Sequence, residues 1–288
     1  MPRILCATDF SLRSRRALRR AALLARRSAA ELTLVHVVDD DQPEELIELE
    51  RREADKFLKE QVASLAELQN LPCRLVVATG EAFDGVLRTA RNPSADLIVM
   101  GTHRKQLLRD TFIGTTLERV IRTGPFPVLM VNREAERPYG GVLAAVDMSE
   151  PSARAITTAE ALGLLDGVDV TIVHAFIALA KGQLFVANTP RAQIDEYIAD
   201  ERLNASMTLS SFLAAHGLCR PGWSLRLEEG DAFQAIARVA KELAPDLVVI
   251  GTHGRSGVAK MLLGSVAEQT LRSLDVDILA APLGQSPA

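Results

Sequence analysis

The sequence predicts an α/β protein made of two tandem Rossmann- or flavodoxin-like domains, each a five-stranded parallel sheet with helices on both faces. Three observations carry that prediction. Short apolar runs alternate with amphipathic helical stretches along all 288 residues, the pattern of parallel strands joined by right-handed crossovers. The pattern repeats: Ile4-Leu5-Cys6-Ala7-Thr8-Asp9 maps onto Val142-Leu143-Ala144-Ala145-Val146-Asp147 at a shift of 138, and Gly80-Glu81-Ala82-Phe83 onto Gly230-Asp231-Ala232-Phe233 at a shift of 150. Between residues 80–124 and 230–274, 14 of 45 positions are identical, against roughly three expected from average residue usage.

The elements of the first half follow in order. An apolar run at 3–7 opens it, and a helix over 12–28 begins after Asp9 and Ser11. The run Leu32-Thr33-Leu34-Val35-His36-Val37 reads as the second strand and maps onto Val170-Thr171-Ile172-Val173-His174-Ala175. The strongly charged stretch 44–68, within a predicted helix over 43–69, presents a solvated amphipathic face. Strands at 73–78, 96–100 and 127–131 then alternate with helices at 82–91 and 115–123, and the second half repeats the order. The two shifts differ by 12 residues, which places an insertion between Ala175 and Gly230. Its segment 177–189 starts near the predicted ligand edge. It reads as an elaborated crossover, with a lid or partner surface as the alternative. Charges, Pro138 and Gly140 interrupt the pattern over 133–140, so the domains are taken as 1–134 and 139–288.

Hydrophobic residues make up 48% and charged residues 24%, as in ordinary globular proteins. A net charge of −4 lacks the excess of basic residues that non-specific nucleic-acid binding needs. No apolar run is long enough to span a membrane and no leader pattern is visible, so the expected location is the cytoplasm. Cys6, Cys73 and Cys219 show no C-x-x-C spacing, and Cys6 reads as a small buried hydrophobe.

In a doubly wound sheet the ligand lies beyond the carboxyl ends of the strands, near a switch in strand order. Asp147, Ala175 and Gly251 all fall at or just past such ends. The strand Asp246-Leu247-Val248-Val249-Ile250 empties into Gly251-Thr252-His253-Gly254, and nine residues later comes Gly264-Ser265. Glycines let backbone amides approach an anion, and a helix start supplies unpaired donors, with Ser265 as a helix N-cap. Arg255 and Lys260 lie between and could neutralise phosphate charge or simply be solvated. The first half holds the imperfect copy Gly101-Thr102-His103-Arg104, then Gly114-Thr115. No P-loop and no G-x-G-x-x-G fingerprint is present. Asp147 can bond a ribose or base edge, or cap the helix that starts near Ser149. The repeat-paired histidines, His36 with His174 and His103 with His253, read as structural, because no cluster has metal-ligand spacing.

These residues resemble the universal stress protein family in its tandem form, across nearly the whole chain. The resemblance rests on Ala7-Thr8-Asp9-Phe10-Ser11, on the Leu-Val-His-Val strand ending, and above all on Gly251-x2-Gly254-x9-Gly264-Ser265, which looks like the family's ATP-binding signature. It implies an adenine nucleotide alpha hydrolase-like fold. It also implies ATP or a related adenine nucleotide in the second domain, with a divalent ion, Mg2+, at the phosphates. Carried over, Asp147 and Ala175 would face the adenosine. Gly251, Gly254, Gly264, Ser265 and Val266 would bind phosphates or ribose. Arg104, where the second glycine belongs, would perturb or partly fill the cradle, or else itself hold a phosphate or another anion, so the first domain is expected to be a degenerate companion whose ligand stays open. Family members pair their last strands, so the two domains are expected to join in that way, with a homodimer open. Asp275 and Asp277 stand against that pairing in the second half. The expected activity is a nucleotide-binding stress-response protein acting through a protein partner, with no catalytic set. The alternatives are a slow ATP hydrolase or nucleotidyl-transfer enzyme, and a carrier or scaffold for a different small ligand.

Overall fold

A computed structural model describes residues 1–92, 94–102, 114–253 and 263–282. The first half runs β1 (Arg3–Ala7), α1 (Leu12–Ser28), β2 (Glu31–Val38), α2 (Glu44–Ser64), β3 (Cys73–Thr79), α3 (Ala82–Arg91), β4 (Leu97–Gly101), α4 (Thr116–Thr123) and β5 (Val128–Val131). The second runs β6 (Gly141–Ala145), α5 (Glu150–Ala161), β7 (Asp169–Phe176), α6 (Lys181–Val186), α7 (Arg191–Ala215), β8 (Ser224–Glu229), α8 (Ala232–Leu243), β9 (Leu247–Gly251), α9 (Ser265–Ser273) and β10 (Asp277–Ala281). The helix expected over 43–69 stops at Ser64. Leu65 turns extended there and a 3-10 turn, Ala66–Leu68, follows, which sends Leu65 and Leu68 into the core. The inserted residues form α6 between β7 and α7, an elaborated crossover.

Within each half the strands are parallel, in the orders β3-β2-β1-β4-β5 and β8-β7-β6-β9-β10. The halves are not two separate sheets. β5 and β10 pair antiparallel, Met130 with Ile278 and Val128 with Ala280, to give one ten-stranded sheet. Every residue of that central pairing is fully buried. Alternation along the strands then sends side chains into two layers. One holds α1, α2, α5 and α7 residues such as Leu18, Leu58, Ile156 and Leu209, and the other α3, α4, α8 and α9 residues such as Val86, Val120, Val239 and Leu271. Both layers run through both halves.

The expectation that Asp277 weakens this pairing is overturned. Its carboxylate is fully buried, yet Oδ1 accepts from the amides of Asn132 (2.9 Å) and Arg133 (3.1 Å). Oδ2 accepts from the Tyr139 hydroxyl at 2.8 Å, and Arg20 Nε lies 3.3 Å away as an ion partner. Arg20 also stacks 4.0 Å over the Tyr139 ring and donates to the Arg137 carbonyl. A buried charge costs little only when it is paired and bonded in this way. Asp277 therefore joins α1, the interdomain segment and β10.

Candidate functional site

β6 is flanked by β7 and β9, so the order of the sheet switches beside it, as it does beside β1 in the first half. At the carboxyl ends of these strands each half opens a cleft. The second-half cleft encloses about 360 Å3. Asp147, Ala175, Gly251, Gly264, Ser265 and Val266 all line it, so six of the eight residues chosen from sequence converge. The other two, Gly254 and Arg255, lie outside the described residues. Its inner wall is apolar, formed by Val173, Ile236 and Ile250. Sequence reasoning missed this wall, although the residues sit where their strands and helix meet the cleft.

Asp147 shapes the turn after β6. Its Oδ1 accepts from the Ser149 amide at 3.0 Å and from the Ser149 hydroxyl, which in turn caps α5 through the Ser152 amide. The cap of α5 is therefore Ser149, and Asp147 positions it. The residue between, Met148, takes the left-handed conformation (φ 58°), as its repeat counterpart Phe10 does (φ 62°). Such backbone persists only where neighbours hold it.

Gly251 serves a purpose that the sequence did not reveal. A Cβ there would lie 3.0 Å from the Pro151 carbonyl oxygen, so glycine lets β9 pack against the start of α5. Gly101 is tighter, with Arg13 backbone atoms at 2.7 Å. At the opposite wall the expected N-cap is displaced by one residue. Gly264 is the N-cap of α9, with no side-chain cap, and Ser265 is the first helical residue. The Gly264 amide donates to the Thr252 carbonyl at 2.8 Å, so it is not the free donor expected from sequence. Glu268 is the first residue of α9 bonded back along the helix, which leaves the amides of Ser265, Val266 and Ala267 at the open end.

His36 and His174 are structural, as expected: each Nδ1 donates to a strand-end carbonyl, Thr8 at 2.9 Å and Val146 at 2.7 Å. His36 also lines the first-half cleft, and His253 lines the second. Its Nδ1 lies 2.9 Å from Thr252 Oγ1, and burial pushes its pKa down, which favours the neutral ring. His103 and Arg104 lie outside the described residues. Cys6 is fully buried, and burial pushes its thiol pKa up.

The universal stress protein family model matches the chain twice, over residues 1–132 and 138–282. The chain belongs to this family. The universal stress protein E homolog of Haemophilus influenzae is 25% identical over 244 residues, covering 82% of this chain and 76% of that one. A universal stress protein of Mycobacterium bovis is 25% identical over 271 residues, covering 87% and 86%. Among solved structures, a universal stress protein from Archaeoglobus fulgidus matches with a TM-score of 0.72 and 17% identity over 98% of both chains. That likeness speaks for the tandem fold alone.

Within this family frame the two halves of the chain differ at one telling place. Thr115-x-x-Glu118 and Ser265-x-x-Glu268 both have the spacing of a capping box. In α4 the two side chains bond the helix start: Thr115 Oγ1 accepts from the Glu118 amide at 3.1 Å, and Glu118 Oε2 accepts from the amide of Gly114, the residue before the N-cap, at 3.2 Å. Glu118 is buried and pairs with Arg122 at 3.2 Å. In α9 no side chain among the described residues caps the start. The same four-residue pattern thus caps one helix start with its own side chains and, among the described residues, does not cap the other, while both helices keep amides without a partner along the helix at their first turn, Thr116 and Leu117 in α4 and Val266 and Ala267 in α9.

Proposed function

We propose that the second half of the chain binds ATP or a related adenine nucleotide, and that the protein acts in a cytoplasmic stress response through partner contacts linked to that binding. The observation that carries the reading is the convergence on one cleft of an apolar wall, a carboxylate at the end of β6 and an uncapped helix start. Each suits one part of the ligand. Adenine would lie against Val173, Ile236 and Ile250, where burying a flat ring removes apolar surface from water. Asp147 would accept hydrogen bonds from ribose hydroxyls. The open amides of Ser265 and Val266, with the helix dipole behind them, would meet the phosphates. The spacing Gly251-x2-Gly254-x9-Gly264-Ser265 supports the same assignment through its resemblance to the family's ATP-binding signature.

No group of three metal-binding side chains converges among the described residues. A Mg2+ ion would accordingly be held by the nucleotide phosphates and water, its usual arrangement with nucleotides. The reading is of binding rather than turnover. Metal-dependent phosphate release well above background, abolished by Asp147→Asn, would replace it with that of a slow hydrolase.

Equilibrium dialysis with radiolabelled ATP tests the assignment. Gly254→Arg, which copies Arg104 of the first half, should weaken binding at least about tenfold by adding bulk beside the phosphates. Unchanged affinity would reject the assigned cradle.

A further inference from the structure

Apolar side chains gather on the outside of the insertion that sets the second half apart. Leu179 is 83% exposed and Val186 90%, and Ile177, Phe185, Leu203 and Met207 are each more than half exposed. α6 buries none of its own residues, and it lies against α7, where the Tyr197 hydroxyl accepts from the Ala180 amide at 3.1 Å. α7 turns Ile194, Leu209 and Leu213 inward. On its outer side Glu196, Asp200, Leu203 and Met207, all exposed, follow one another at helical spacing. Aligned on their buried leucines, Leu58 and Leu209, α2 carries Arg52 and Lys56 where α7 carries Leu203 and Met207. The stripe is thus not inherited from the repeat. Single exposed apolar residues are ordinary, whereas a group of them marks a contact surface.

We propose that α6 and the outer side of α7 form the docking surface for an amphipathic helix of a partner protein, one whose apolar stripe is flanked by lysines or arginines. Charge selects that partner. Lys181 is held by Glu229 at 2.7 Å, Arg191 pairs with Asp195 at 3.5 Å, and Arg202 donates to the Leu227 carbonyl at 2.7 Å. Glu196, Asp200 and Glu201 have no partner among the described residues. The surface therefore offers apolar area beside carboxylates that await cations. A second copy of the chain would bring no free cation on this face to meet them. The ridge of side chains along α7 suits a second helix packed across it. The surface starts at Ile177, two residues beyond Ala175, which lines the second-half cleft. It gives the partner contacts proposed above their place, and it rests on that reading only for their link to nucleotide.

The test is fluorescence anisotropy of the full chain with a labelled synthetic helix of leucine and lysine, its leucines arranged in one stripe. Two control peptides accompany it: the same residues in an order that forms no stripe, and a leucine–glutamate helix. The wild-type chain should bind the striped lysine helix at least about tenfold more tightly than either control. Val186→Ser should weaken that binding about tenfold or more, as should the pairs Leu203→Ser with Met207→Ser and Glu196→Gln with Asp200→Asn. Leu46→Ser with Leu49→Ser, on the exposed acidic start of α2, should leave it unchanged. Val186 is the most exposed of these side chains, so its variant keeps the fold and is the decisive one. No binding, equal binding of the two lysine peptides, or binding lost with the α2 pair and indifferent to Val186→Ser would overturn the inference. So would a dimer of the chain in sedimentation velocity that Leu203→Ser with Met207→Ser abolishes, because the face would then belong to a second copy. No nucleotide is present in this measurement, so failure of the ATP reading leaves its outcome unchanged and the two can fail separately.

Discussion

At the scale of single residues, burial and partners decide what each charge does. Asp277 looks in sequence like a charge spoiling a strand. The structure surrounds it with the Asn132 and Arg133 amides, the Tyr139 hydroxyl and Arg20. None of these partners is near it in the chain, so no local pattern could announce them. Asp277→Ala should cost about 3–5 kcal/mol by leaving Arg20 buried without its partner, and Tyr139→Phe about 1 kcal/mol, both read from urea unfolding. His216 is a case for pH. Its pKa is raised by its bond to the Phe212 carbonyl and then by Glu150 at 3.1 Å. A base with a raised folded pKa contributes stability that is fully present below its unfolded value, near 6.5, and lost as pH rises through the higher folded value. The site is exposed, so the effect is small. Unfolding midpoints of wild type and His216→Gln should differ slightly below pH 6 and coincide at high pH.

At the scale of elements, apolar periodicity located the strands of the first half and all its helices but α2 to within about a residue, because five short buried strands leave a clear pattern, whereas the end of α2 at Ser64 was missed by five residues. The roles of individual glycines and caps were less legible. Gly251 and Gly101 looked like ligand glycines, yet both make room for a helix start, a contact set by packing across layers. Gly101→Ala should cost about 1–3 kcal/mol, since the new Cβ would meet Arg13 backbone that cannot swing away. Ser265 and Thr115 occupy matching positions, yet only Thr115 is an N-cap. Thr115→Ala should therefore destabilise the chain by about 1 kcal/mol. Ser265→Ala should change thermal stability by less than about 0.5 kcal/mol. A loss of stability matching that of Thr115→Ala would contradict this account of α9.

At the scale of the whole molecule, the repeat made two domains legible, and the family resemblance their joint through the last strands, but not the side chains that hold it. β5 and β10 belong to different halves, and their antiparallel pairing makes one sheet and two continuous core layers. Arginines of α1 reinforce the joint. Arg16 and Arg19 reach Glu134, Arg20 reaches Asp277, and Arg27 donates to the Asp166 carbonyl of the second half. In sequence these arginines read only as the polar face of a helix. The exposed pairs add little, whereas the buried centre and the shared apolar core bind the halves energetically. Chemical unfolding should follow one cooperative transition by fluorescence and by circular dichroism, and two separated transitions would show that the halves melt independently. The family is settled by the match over both halves, and the nucleotide by binding alone. The most direct measurement is ATP stoichiometry and affinity by equilibrium dialysis, for wild type, Asp147→Ala and Asp9→Ala. The account predicts one equivalent, weakened about tenfold or more by Asp147→Ala and untouched by Asp9→Ala. No bound ATP, or binding indifferent to Asp147→Ala, would contradict it.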